Sequence, residues 1–96
     1  FCKIPTKIVV YPNQSLSLQS HKHRSEHWIV AEGEAEVTIN GNITSLKENE
    51  NIFIPKGAVH RMANKTNINL VIIEMWYGDK MDENDIKRYE DIYKRI

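Results

Sequence analysis

Three imidazoles, a carboxylate and a carboxamide fall within two short segments, Gln19-Ser20-His21-Lys22-His23-Arg24-Ser25-Glu26 and Pro55-Lys56-Gly57-Ala58-Val59-His60. Residues 19, 21 and 23 share parity, so a strand running through them presents all three side chains on one face. Nitrogen and oxygen donors brought from separate strands to about 2.0–2.2 Å of one point would hold a single divalent ion such as Zn, Mn, Co or Fe. The affinity order of these metals is common to most such sites, so the residues do not choose among them. The competing reading is a set of polar side chains that hydrogen-bond a sugar without any ion. His21-Lys22-His23 is itself a His-x-His pair, which leaves His23 as a rival of Gln19 for a ligand position. Parity flips between His23 and Glu26, so a bend or bulge near Arg24-Ser25 is needed to turn Glu26 inward.

Arg24 offers a planar, permanently charged fork suited to phosphate or enediolate oxygens. Its alternative is an ion pair with Glu26 or another acid. Arg61, beside His60, and Lys7 are further phosphate candidates, although regular alternation turns Arg61 away from the face His60 occupies. Leu70, Ile72, Glu74 and Trp76 share a face, which sets one carboxyl among apolar neighbours. Facing inward, Glu74 should have a raised pKa and suit a proton shuttle; facing solvent, it would be an ordinary surface acid. His27 and Trp28 alternate, Trp28 towards the core and His27 towards the outside.

The elements that must carry these residues are short runs rich in Ile, Val, Phe, Tyr and Thr with turn residues between them. They span about 7–11, 16–21, 27–31, 35–40, 51–54, 60–63 and 70–77, an all-β pattern. Asn40-Gly41 between two alternating runs predicts a tight hairpin, because both residues accept positive φ. Near the end the period changes: Ile86, Tyr89, Ile92, Tyr93 and Ile96 fall at helical spacing, with Asp82 as N-cap and Glu83 and Asp85 in the first turn. One C-terminal helix over about 83–95 is expected to pack on the barrel.

The 96 residues suit a single domain spanning 1–96. Thirteen basic and thirteen acidic residues give no net field to draw in nucleic acid or anionic lipid. The single Cys2 has no disulfide partner, which favours a reducing cytoplasm, and no apolar run approaches the length of a bilayer span. The chain opens at Phe1 rather than Met, which suggests a piece of a longer polypeptide.

Pro55-x-Gly57-x2-His60-x3-Asn64 resembles one of the two cupin signatures. The other fits as Gln19-x-His21-x4-Glu26-x6-Gly33 when Gln19 takes the place of the first ligand His, with Asn13 and Asn49 where each signature opens with Gly. Asn tolerates left-handed geometry better than most residues, so these exchanges are mild. More specifically, the string from Leu16 through Gln19-x-His21-x-His23-Arg24-x-Glu26-His27-Trp28, with Glu48-Asn49-Glu50, Ile54-Pro55, His60-Arg61 and Glu90-Asp91-Ile92-Tyr93, resembles one family over about 7–95. That family is the C-terminal phosphomannose isomerase domain of bifunctional mannose-1-phosphate guanylyltransferase/mannose-6-phosphate isomerase.

The resemblance implies a cupin barrel, a double-stranded β-helix, that holds one divalent metal through Gln19, His21, Glu26 and His60. The four-residue gap from His21 to Glu26 then makes His23 a neighbouring or substrate contact. It also implies interconversion of mannose 6-phosphate and fructose 6-phosphate through an enediol in GDP-mannose biosynthesis. Glu74 or His23 would carry the proton, Arg24 would stabilise charge, and Arg24, Arg61 or Lys7 would hold phosphate. The implied partners are a sugar phosphate, a second copy in a homodimer and a fused nucleotidyltransferase domain, with neither nucleic acid nor membrane. No Gly-rich phosphate loop is present, so guanylyl transfer is outside this chain, and the domain by itself is expected to bind metal whether or not it turns substrate over. The alternatives are a non-catalytic sugar- or metabolite-binding cupin and an epimerase-like or dioxygenase-like cupin.

Overall fold

Alternating apolar and polar residues pair into two antiparallel sheets in a computed structural model that describes residues 5–80, 82 and 84–89. In chain order the strands are β1 (Thr6–Val10), β2 (Leu18–Ser20), β3 (Arg24–Glu32), β4 (Ala35–Ile39), β5 (Asn42–Leu46), β6 (Asn51–Ile54), β7 (His60–Ala63), β8 (Leu70–Gly78) and β9 (Lys87–Tyr89). One sheet runs β1-β8-β3-β6 and the other β5-β4-β7-β2-β9, so neighbours in space are distant in sequence. Long-range pairing of this kind brings residues 19, 26, 60 and 74 to one end of the barrel.

The core lies between the inner faces. Trp28 and Val30 of β3, Val37 of β4, Met62 of β7 and Leu70 and Ile72 of β8 are all buried there. Each large apolar side chain so buried contributes about 1.5–3 kcal/mol, and the resulting packed floor closes the barrel below the polar residues. Along β8 the alternation is direct: Leu70, Ile72 and Glu74 are buried, whereas Val71, Ile73 and Met75 are half-buried on the other face. His27 is exposed and Trp28 buried, as the alternation of β3 predicts.

The turns follow residue chemistry. Asn40 and Gly41 adopt φ of 48° and 86° between the paired Ile39 and Asn42, the two-residue hairpin loop expected from the sequence. Asn13 and Asn49, which replace the expected glycines, both take positive φ, 61° and 71°. Gly78 is required for another reason: opposite Arg24 in the β3–β8 ladder, a Cβ there would collide with the His23 carbonyl oxygen and the Arg24 Cα. Glycine at this point lets the strand that carries Arg24 start close against β8.

The break expected near Arg24-Ser25 is a bend rather than a bulge, and it falls just before them: β2 ends at Ser20, the chain bends at Lys22-His23, and β3 starts afresh at Arg24 in regular register with Gly78, Tyr77 and Trp76. The irregularity in β3 falls further on, between Val30 and Glu32. One expectation is corrected: a helix over about 83–95 is not what the described part of that stretch forms. There Asn84 lies in a turn and Lys87–Tyr89 form β9, pairing with β2 through Leu18–Tyr89, Gln19–Arg88 and Ser20–Lys87. An open edge of β2 that can satisfy three residues of backbone outweighs local helical spacing. Residues 83 and 90–95 of the expected helix lie outside the described residues, as does Cys2.

Candidate metal centre

β2 and β7 pair at Gln19–His60, which sets these two side chains next to each other on the inner face of one sheet. Glu26 comes from β3 in the opposite sheet, and His21 from the bend that follows β2. His21, Glu26 and His60 are buried, and their ligand atoms lie within 4.8 Å of one another. Two metal bonds of about 2.2 Å laid end to end span a comparable distance, so one ion fits this group.

The chemistry of the donors is more telling than the distance. His21 Nδ1 lies 2.7 Å from the Asp85 carbonyl oxygen, and His60 Nδ1 lies 3.0 Å from that of Ala58. A carbonyl oxygen only accepts, so both Nδ1 atoms carry protons and both Nε2 atoms are left to face the cavity. His21 Nε2 then sits 3.1 Å from Glu26 Oε2, and Arg24 reaches both groups, with Nη2 3.4 Å from His21 Nε2 and Nε 2.9 Å from Glu26 Oε2, so its guanidinium offsets the lone pair that faces the carboxylate. Metal-binding histidines are held in just this way, through the ring nitrogen that does not ligate. The Ala58 carbonyl is delivered by the turn at Pro55–Ala58, closed by the Ala58 amide on the Pro55 carbonyl at 3.1 Å with Gly57 at φ 82°. The Gly57 amide in turn donates to the His21 carbonyl at 2.8 Å, tying the two ligand segments together.

Around this group lies a cavity of about 200 Å³ whose walls include Gln19, Arg24, Arg61 and Glu74. Gln19 is half-buried, and its amide nitrogen makes long contacts of 3.4 Å to the Ser17 carbonyl and hydroxyl oxygens. Arg24 is buried, donates from Nε to Glu26 Oε2 at 2.9 Å, and lays its guanidinium 3.3 Å from the centroid of the Trp76 ring. The ion pair with Glu26 and the place in the cavity, posed as alternatives by the sequence, therefore coexist. Arg61 also lines the cavity, despite the alternation expected to turn it away; every residue of β7 is buried, so neither face of that strand is open to water.

Glu74 faces inward. Burial, then the charge of Glu26, pushes its carboxyl up to about 7, against the opposing hydrogen bond from Trp76 Nε1 at 2.7 Å. Burial would also raise Glu26, but hydrogen bonds from Trp28 and Glu74, with His21 and Arg24 alongside, hold it below the usual carboxylate range. Two acids in one cavity are thus driven apart, one kept ionised and one poised near neutrality. His60 is depressed chiefly by burial, which favours the neutral ring a metal requires.

Two named residues are not brought to this cavity. His23 lies in the bend, 38 % exposed, with Nδ1 4.0 Å from Asp79 Oδ1. Lys7 is exposed on β1, where its neighbour Ile8 takes the inward position. Two others contribute beyond expectation. Trp28 Nε1 donates to Glu26 Oε1 at 2.9 Å, a contact that the shared parity of residues 26 and 28 signals. Asp85 supports His21, and no local pattern announces it.

Residues 3–91 match the protein-family model described as mannose-6-phosphate isomerase C-terminal. The chain is 48% identical over 90 residues to the mannose-1-phosphate guanylyltransferase ManC of Salmonella typhimurium, covering 94% of this chain and 19% of that protein. It is 51% identical over 88 residues to the alginate biosynthesis protein AlgA of Pseudomonas putida, covering 92% and 18%. The chain thus spans about a fifth of the length of these relatives. Among solved structures it is similar to a Klebsiella pneumoniae protein with a double-stranded β-helix domain, at TM-score 0.78 and 23% identity over 91% of this chain and 74% of that one. The cupin domain of Schizosaccharomyces pombe Cnp3 gives TM-score 0.75 and 16% identity over 78% and 55%. These likenesses establish the cupin fold.

Proposed function

The chain belongs to the mannose-6-phosphate isomerase C-terminal family, and from that premise we propose that it interconverts mannose 6-phosphate and fructose 6-phosphate at a divalent metal held by His21, Glu26 and His60. Gln19, on the same wall, would complete the set through its amide oxygen. The observation that carries this reading is the pair of imidazoles pinned at Nδ1 by backbone carbonyls, with the ligand atoms of His21, His60 and Glu26 all within 4.8 Å of one another. When bound, an ion there supplies Lewis-acid polarisation at the O1/O2 end of the open-chain sugar.

The remaining work falls to the chain's own residues. Isomerisation of the aldose takes the proton from C2, leaves an enediolate, and returns a proton to C1, while the hydroxyl proton passes from O2 to O1. Glu74 is the group we assign to this transfer: it is buried, lines the cavity, and titrates at about 7, so it can accept a proton and give it back. His23, outside the cavity, is not needed for it. Arg24, fixed by Glu26 and stacked on Trp76, presents a cation to the enediolate or phosphate oxygens, and Arg61 is the second phosphate contact. Arg24→Ala with unchanged metal content, turnover and KM removes Arg24 from this account.

The same reading makes the chain the isomerase part of a longer GDP-mannose pathway enzyme, beside a guanylyltransferase part, because the named relatives extend far beyond the matched region. The test is to strip the chain of metal, restore single divalent ions and follow both product and exchange of the C2 proton in deuterated water. Activity restored by one ion supports the proposal. A bound ion without proton exchange makes the chain a binding module, and failure to bind any divalent ion removes the metal centre.

A further inference from the structure

We propose that Asp85 is a positioning residue of the metal centre, a clip that holds His21 in its ligating orientation. The inference rests on the metal reading above. Asp85 Oδ1 accepts the Lys22 amide and Oδ2 accepts the His23 amide, each at 2.8 Å, while the Asp85 carbonyl accepts His21 Nδ1 at 2.7 Å. One residue therefore grips three consecutive residues, 21 to 23, at the bend where β2 has ended and β3 has not begun.

The residue type is demanded by that geometry. Two successive amide donors at a bend need two acceptors side by side, which a carboxylate provides and an amide does not, since Asn would turn an NH2 group towards one of the donors. The side chain anchors the backbone of residue 85, and the backbone then anchors the ring. Without the clip the His21 ring loses its acceptor and is free to rotate or to present the other nitrogen.

The neighbouring attachments are separable from the clip. Ser20 Oγ and Tyr89 Oη lie 2.9 Å apart, joining β2 to β9 without touching His21. Ser20→Ala therefore loosens β9 alone, and serves as the control for a merely structural role.

The experiment uses the full 96-residue chain with Asp85→Ala, Asp85→Asn and Ser20→Ala. Two readouts are taken: Zn(II) affinity by competition with a chromophoric chelator, and the nitrogen-edited proton signal of His21 Nδ1–H in the metal-free protein. Asp85→Ala should weaken Zn(II) about 10–100-fold and abolish the slowly exchanging Nδ1–H signal. Asp85→Asn should fall between, and carries the test if the alanine variant does not fold. Ser20→Ala should retain both. Unchanged affinity in the Asp85 variants, weakened affinity with the Nδ1–H signal intact, or an equal loss in Ser20→Ala overturns the proposal. If the parent chain binds no Zn(II), the metal reading fails, and the Nδ1–H signal alone decides whether the clip exists.

Discussion

Glu74→Gln is expected to leave a folded chain that still binds its ion but has lost about 10²–10⁴-fold of its turnover, the usual loss when a positioned acid–base group is removed. The substitution keeps the shape of the side chain and an oxygen that can accept from Trp76 Nε1, so the cavity wall is preserved. What disappears is the proton-carrying group. A second consequence is visible without substrate, in the metal-free protein. Glu74 is raised in the folded state from 4.5 to about 7, first by burial and then by Glu26, so the native state holds its proton more tightly than the unfolded chain does. Its stabilising effect is therefore complete below pH 4.5 and is lost as pH rises through about 7. The full swing corresponds to about 3 kcal/mol. Glutamine does not titrate, so Glu74→Gln should gain on the parent chain over that window and hold its advantage at higher pH. Denaturant melts at a series of pH values, run beside the isomerase assay, check both effects. A difference that stays flat with pH would place Glu74 in water, and unchanged turnover would dismiss it as the base.

The alternation of β8 set Glu74 among apolar neighbours in the sequence but left open whether that face met the core or solvent, and the structure turns it inward; the same period in β3 put Trp28 inside and His27 outside. The gathering of His21, Glu26 and His60 was legible for a different reason: residue types that can chelate were concentrated in two segments whose pairing the strand pattern made natural. What failed did so where the backbone left the ladder. Parity counted through residues 19 to 23 assumes one continuous strand, yet β2 stops at Ser20 and the bend swings His23 outward to Asp79. His21 is held in part by partners far along the chain, the Gly57 amide and the Asp85 carbonyl. The stretch around Asp85 is the clearest case. Its apolar spacing reads as helix, and the strand state of Lys87–Tyr89 is supplied by the open edge of β2, a fact about another part of the molecule. Lys7 failed more simply, since one step of register separates it from Ile8, and the alternation of β1 alone does not say which face meets the core.

Glu26 is where fold and chemistry share one side chain, and its replacement by glutamine should separate them. Its Oε2 accepts from Arg24 Nε at 2.9 Å, its Oε1 accepts from Trp28 Nε1 at 2.9 Å, and it is 2 % exposed. Glu26→Gln removes the anion from a guanidinium that is itself only 6 % exposed, and an uncompensated charge at such a site costs about 3–5 kcal/mol. It also removes the one anionic donor of the His21, Glu26 and His60 group, so divalent-ion binding should fall below detection in the same variant. The two losses have different cures. Adding Arg24→Met to Glu26→Gln withdraws the orphaned charge and should recover a large part of the stability, because an apolar chain of similar length fills the place against Trp76. It cannot recover ion binding, since no carboxylate returns to face His21 Nε2. Thermal melts of the metal-free proteins and ion titrations of the parent chain and both variants give the comparison. If Glu26→Gln binds the ion as the parent does, Glu26 is only the partner of Arg24 and the metal centre must be rebuilt without it. If the double variant is no more stable than Glu26→Gln, the buried ion pair is not what that carboxylate supports.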